Sequence, residues 1–64
     1  MYAIIIEKTK PTHLYIANNM YYSKLGGVGK KENADTWELF EDAQPTVKSL
    51  RSQLPNRFIY AIKY

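Results

Sequence analysis

Apolar and β-branched residues open the chain in a pattern that predicts two paired strands. Residues 2–8 are rich in isoleucine and favour a strand. Residues 9–12 follow with a proline that cannot donate to a ladder, which indicates a turn. Residues 13–17 combine aromatic and branched side chains and predict a second short strand. Because only four residues separate the two runs, an antiparallel hairpin is the expected connection.

The middle of the chain carries weaker signals. Two asparagines at 18–19 favour a tight turn, after which residues 20–23 are expected either to pair briefly or to cover a sheet edge. Residues 24–33 contain three glycines and several charges without apolar periodicity. This composition predicts a flexible loop of glycine and lysine.

Apolar side chains return in residues 36–40, which favour a third strand. A helix that starts at Asp35 is the alternative, because Trp37 and Phe40 are three positions apart. In one interpretation Trp37 anchors a thin core. In the other it is a contact anchor, since tryptophan and tyrosine concentrate binding energy where they are desolvated.

One helix is predicted after the acidic pair Glu41 and Asp42. Its apolar stripe at 3.6 residues per turn consists of Ala43, Val47, Leu50 and Leu54. Acidic residues suit a helix start, and Pro45 is tolerated only in the first turn, so the helix is expected to begin near Asp42 or Ala43. Pro55 is expected to follow its end.

A final strand is predicted over residues 57–64, where aromatic and aliphatic side chains alternate. The order is then β-β-β-α-β. It predicts a single small α+β domain over residues 1–64, with one helix on one face of an antiparallel or mixed sheet.

Alternation gives this sheet two apolar faces and only one helix to cover them. A helix packs closest on small side chains, so the covered face is expected to hold Ala3, Ile5, Ile59 and Ala61. The other face consists of Tyr2, Ile4, Ile6, Phe58, Tyr60 and Ile62. An uncovered apolar face marks an interaction surface. Three explanations stay open: a homodimer, which we prefer; cover by residues 20–22 and the glycine loop; or direct binding of another macromolecule.

Length and composition restrict the classes of function. The 64 residues form one domain with a thin core, and the absence of cysteine excludes disulfides and thiolate metal sites. The apolar run over residues 2–6 is too short for a signal peptide or a membrane span, so we expect no membrane association. The net charge of +3 is a mild excess of basic residues, which favours contact with phosphate or an acidic partner without requiring it. We expect a cytoplasmic protein.

The run Gly26 to Lys30 invites comparison with phosphate-binding loops, and it fails. The pattern G-x-x-x-x-G-K-[ST] would need glycine where Lys24 stands and a hydroxyl where Lys31 stands. The dinucleotide fingerprint would need glycine at Glu32. We therefore expect no nucleotide cofactor.

Nucleic-acid binding is the alternative function. It would use a basic set of five residues, Lys24, Lys30, Lys31, Arg51 and Arg57. Bases would stack on Tyr15, Tyr21, Tyr22, Tyr60 or Phe58. The aromatic motif of RNA-recognition domains is absent from the chain.

Candidate catalytic groups are few. Asp35, Glu38, Glu41 and Asp42 are spaced closely enough to meet, but capping and solubility explain them better than a metal or acid-base site. His13 is the only histidine and cannot form a metal cluster by itself. The serines lack a nucleophile motif. We expect neither an enzyme nor a metal site.

The segments MYAIIIEKT, ADTWELF, EDAQPTVKSLRSQL and RFIYAIKY together resemble, in size and order, the small accessory proteins of bacteriophages and other mobile elements. Such proteins often bind and block a host protein, including defence systems. The resemblance implies an inhibitor or adaptor without enzymatic activity, located in the cytoplasm of the host cell if the chain is phage-encoded. Its contact residues are expected on the aromatic sheet face, or on a second set made of Tyr21, Tyr22, Lys24, Lys30, Lys31 and Trp37.

Overall fold

The structure is a computed structural model that describes residues 1–8 and 20–64. Within these ranges the elements are Tyr2–Glu7 (β1), Tyr21–Ser23 (β2), Gly27–Gly29 (β3), the 3-10 helix Lys31–Asn33, Phe40–Gln53 (α1) and Phe58–Lys63 (β4). The predicted α+β class with one helix is confirmed. The strand predicted over residues 13–17 lies outside the described residues.

The strands form an antiparallel sheet in the order β3-β2-β1-β4. β1 is central and pairs with β4 along its whole length, from Tyr2 opposite Lys63 to Glu7 opposite Phe58. Its run of isoleucines suits a strand with neighbours on both sides. Among the described strands, β3 and β4 are the two edges of the sheet.

The helix packs over β1 and β4 and buries one side of the sheet. The core on this side consists of Ile4, Ile6, Ala43, Val47, Leu50 and Ile59. The prediction that Ile4 and Ile6 lie on a face without a helix is therefore wrong, as is the prediction that Ala3 and Ile5 pack beneath it. The strand register explains why Ile4 lies on the helix side. Ile4 is opposite Ala61, and opposite residues point to the same side of the sheet.

Tyr2 shares this side with the helix. Its ring centroid lies 5.7 Å from that of Phe40, the first residue of α1. The prediction that placed Tyr2 on the uncovered face is therefore wrong as well.

The side opposite the helix is largely covered too. Ala3, Ile5 and Tyr21 are buried there. The half-buried residues that pack against them are Met20, Ala34, Tyr60 and Ile62. Of the residues expected to cover this face, Met20 and Tyr21 belong to this cluster, whereas Tyr22 packs against the helix-side core.

The glycine run forms an edge strand. β2 and β3 are joined by a turn at residues 24–26 and make a short hairpin. Gly27 has a φ of 75°, a backbone conformation that residues with a side chain rarely adopt. Residues 24–33, predicted as a loop, thus contain a strand and a 3-10 helix, while their flexibility stays a prediction.

Residues 34–37 run between β2 and β1. Trp37 exchanges two backbone hydrogen bonds with Tyr2, of 2.7 and 2.9 Å, and the N–H of Asp35 donates to the carbonyl of Tyr22 at 3.1 Å. The third strand predicted over residues 36–40 is therefore wrong, since the pairing is a single bridge at Trp37.

α1 begins at Phe40, two residues before the expected Asp42. Glu41 and Asp42 lie in its first turn, as expected. Pro45 lies in the second turn instead of the first, where it removes one helical hydrogen bond. The predicted apolar stripe is buried except at Leu54, which is 37% exposed just beyond the last helical residue.

Candidate peptide-binding edge

The outer edge of β4 presents backbone groups that the described sheet does not use. The N–H of Ile6 donates to Met20, and the N–H of Tyr2 donates to Trp37, so the even-numbered residues of β1 turn away from β4. Their partners in β4 must likewise turn away from β1. These outward residues are Ile59, Ala61 and Lys63.

One of the outward groups has a side-chain partner. Nε of Arg51, in the last turn of α1, donates to the carbonyl oxygen of Ile59 at 2.9 Å. The other N–H groups of this guanidinium have no partner among the described residues. A planar guanidinium fork matches a carboxylate in bidentate geometry. Arg51 therefore covers part of the edge and keeps donors available.

A groove of about 630 Å³ lies along this edge. Arg51, Pro55, Arg57 and the first four residues of β4 line it, and Phe58 at its start is 44% exposed. The lining formed by the described residues contains two arginines and no carboxylate. Residues 9–19, which lie outside the described ranges, contain no aspartate or glutamate. The groove is thus apolar and basic.

Tyr60, the other aromatic residue of β4, is held by a hydrogen bond on the side of the sheet opposite the helix. The hydroxyl of Tyr60 donates to Oε2 of Glu7 at 2.7 Å, and Glu7 is only 8% exposed. Burial, together with the nearby Glu7 carboxylate, raises the pKa of the Tyr60 hydroxyl well above its usual value near 10. Tyr60 therefore stays neutral and supports the strand from the side opposite the helix.

The second predicted set is only partly brought together. Tyr22, Lys24 and Trp37 line a cleft of about 400 Å³ on the helix side of the sheet. Tyr21 belongs to the buried cluster on the opposite side. This dispersal means that the four residues do not share one contact surface.

The basic residues are also divided. Lys24 lies in the turn between β2 and β3 and Lys30 directly follows β3, whereas Arg51 and Arg57 line the groove at the opposite edge of the sheet. Three strand spacings, about 14 Å, separate the edges. The Nζ of Lys31 lies 5.4 Å from the ring centroid of Tyr64. The basic set predicted for nucleic acid is thus not a single patch.

The acidic residues have local roles. An Asp35 carboxylate oxygen accepts a bond from the backbone N–H of Lys24 at 2.9 Å. In the described part of the chain, no group of three histidine, cysteine, aspartate or glutamate side chains is placed to hold a metal ion. His13 lies outside the described residues. No helix in the described ranges is long and apolar enough to cross a membrane.

No family model, no curated protein and no solved structure matches this chain. The candidate site therefore depends on its own geometry. Sequence reasoning selected Phe58, Tyr60 and Ile62 from the alternation of β4, but it missed Ile59 with Arg51. No sequence signal marks that contact, because it depends on how α1 lies against β4.

Proposed function

We propose that this chain is a non-enzymatic binding protein that takes up an extended segment of a partner protein along the outer edge of β4. The observation that carries the proposal is the six-residue edge strand, whose outward backbone groups lie beside an open groove. An exposed edge of this kind is a template for strand addition.

Backbone pairing would supply the affinity. Each backbone hydrogen bond contributes about 0.5–1.5 kcal/mol net. The exposed ring of Phe58 adds apolar area that an incoming strand can bury. The resemblance to phage accessory proteins favours an inhibitor or adaptor role, in which the bound segment belongs to a host protein.

A homodimer through the aromatic sheet face stays a prediction, but its surface has changed. Tyr2, Ile4 and Ile6 lie on the helix side, so only the β4 residues of that face remain. Light scattering at micromolar concentration tests the dimer. A mass near that of one chain, 7.5 kDa, would contradict it.

Selection from a displayed library of short random peptides tests strand addition. Binding should slow amide exchange at Ile59, Ala61 and Lys63, which can be followed by NMR. Ala61→Pro removes an outward N–H while leaving the β1 ladder intact, so it should abolish binding. Ala61→Ser keeps that N–H and is the matched control.

Should Ala61→Pro fail to fold, Lys63→Pro near the end of the strand removes another outward N–H. Selected peptides that bind the proline variants as well as the parent chain would contradict the proposal. So would chemical-shift changes confined to the cleft at Trp37.

Binding of single-stranded DNA or RNA through Lys24 and Lys30 would favour the nucleic-acid alternative instead, and this binding should weaken steeply with salt.

A further inference from the structure

We infer, on the basis of the proposed function, that the segment bound at β4 is acidic and that Arg51 selects it. In this inference a carboxylate of the segment lies opposite Ile59 and another lies opposite Lys63. Arg51 leaves the carbonyl of Ile59 when the segment binds and pairs with the first carboxylate.

The register of the sheet sets the pattern of the segment. Ile59, Ala61 and Lys63 point to the helix side, while Tyr60 and Ile62 point to the other. An antiparallel segment places its residues on the same sides as their partners. Read from its amino end, its five central residues face Lys63, Ile62, Ala61, Tyr60 and Ile59 in turn. The complementary pattern is acidic, apolar, small, apolar, acidic.

The charge at the edge favours carboxylates at both ends of this pattern. Arg51 reaches the edge from α1 on the helix side, at Ile59. Lys63 is exposed at the other end of β4 and projects to the same side. The described lining of the groove has no carboxylate that could pair with these cations, so acidic groups of a bound segment would complement them.

The Arg51 bond makes the edge selective. A segment that pairs with Ile59 needs the carbonyl oxygen that Nε of Arg51 now occupies. A neutral segment must displace the guanidinium and offers it at most a neutral acceptor, which binds it more weakly than a carboxylate does. An acidic segment supplies that partner, so displacement is compensated.

A second copy of the chain fits this edge less well. Antiparallel pairing centred on Ala61 would place Lys63 of one copy opposite Ile59 of the other. Lys63 would then lie beside Arg51, which occupies that carbonyl. Like charges so close disfavour the pair, and a lysine on an edge strand is a common protection against self-pairing.

Three peptides with flanking glycines test the inference by fluorescence anisotropy at low salt. Their cores are Glu-Val-Ala-Val-Glu, its neutral form Gln-Val-Ala-Val-Gln, and the isomer Val-Glu-Ala-Glu-Val. The isomer has the same charge but turns its carboxylates toward Tyr60 and Ile62. We expect the first peptide to bind about tenfold more tightly than the other two, as two exposed ion pairs allow.

Arg51→Gln gives the sharper test. It should weaken the acidic peptide about fivefold and strengthen the neutral one about twofold, because the Ile59 carbonyl becomes available. Lys63→Gln, the control, should weaken the acidic peptide about threefold and leave the neutral one unchanged. The thermal midpoints of both variants should be measured first. Arg51→Lys, which keeps the charge without the planar fork, covers the case in which Arg51→Gln unfolds.

The outcomes separate the two levels of the proposal. Equal affinity for the three peptides, or equal weakening of acidic and neutral peptides by Arg51→Gln, overturns the acidic selection while edge binding stands. If no peptide slows amide exchange at Ile59, Ala61 and Lys63, the proposed function itself fails. It also fails if those amides are already protected in a chain of doubled mass, since a second copy would then occupy the edge.

Discussion

Shortening Ile4 by one methylene tests whether the helix packs on the side of the sheet that the structure assigns. Ile4 is fully buried, at 0% exposure, among residues of α1 and β4. Ile→Val substitutions in such positions cost about 0.5–1.5 kcal/mol. Ile62→Val is the matched control, because Ile62 is only half-buried on the opposite side and should cost under about 0.5 kcal/mol.

The loss at Ile4 is large for so small a domain. At about 0.05–0.15 kcal/mol per residue, a chain of 64 residues has a free energy of unfolding of roughly 3–10 kcal/mol. A loss of about 1 kcal/mol corresponds to a fall of about 4–8 °C in the thermal midpoint. Ile4→Ala would cost about 2–5 kcal/mol, which overlaps the lower end of that stability range, so valine is the better probe.

Urea unfolding followed by tryptophan fluorescence provides the assay. Trp37 is the sole tryptophan, and it packs against the helix-side core. The denaturant slope should stay constant, so that a shift in midpoint reports stability alone. Equal losses for Ile4→Val and Ile62→Val, or no loss at Ile4, would refute the assigned packing.

Three further substitutions test local features. Tyr60→Phe leaves the buried Glu7 carboxylate without its hydrogen-bond donor and should lower the free energy of unfolding in urea by about 1.5–3 kcal/mol. The control Tyr64→Phe removes an exposed hydrogen bond to the carbonyl of Lys31 and should lower it by under about 1 kcal/mol. Because folding raises the Tyr60 pKa, that residue's contribution is complete below about pH 10 and is lost as pH rises further, by at most about 1.4 kcal/mol per unit. Tyr60→Phe should flatten this decline, and an unchanged slope would contradict the assignment. Gly27→Ala should cost about 1–2 kcal/mol because the backbone has a positive φ there, although there is space for the added Cβ. Gly26→Ala, where no positive φ is required, should cost less, and equal thermal midpoints for the two variants would count against a strained turn. Pro45→Ala restores an N–H in the second turn of α1 and should stabilise by about 1 kcal/mol, with more ellipticity at 222 nm; a lower midpoint would show that the proline fits its place.

Part of the candidate site was accessible from sequence. The alternation in residues 57–64 predicted a strand, and it placed Phe58, Tyr60 and Ile62 together on one side. That β4 is an edge did not follow, because the order of strands depends on which distant segments pair. The hydrogen bond from Arg51 to the carbonyl of Ile59 likewise depends on the position of α1 over the sheet.

By itself, the sequence determined the features that local periodicity encodes. A period of 3.6 marked the buried stripe of α1, and strand propensity marked β1 and β4, because both signals come from neighbouring residues. Only the tertiary structure decided which side of β1 meets the helix. Isoleucine occupies both sides of that strand, so either choice buries similar side chains. The register places Ile4 and Ala61 on one side, and α1 packs on that side. Tertiary structure also decided that the glycine run is an edge strand, because its backbone hydrogen bonds come from pairing with β2, which its own composition does not predict.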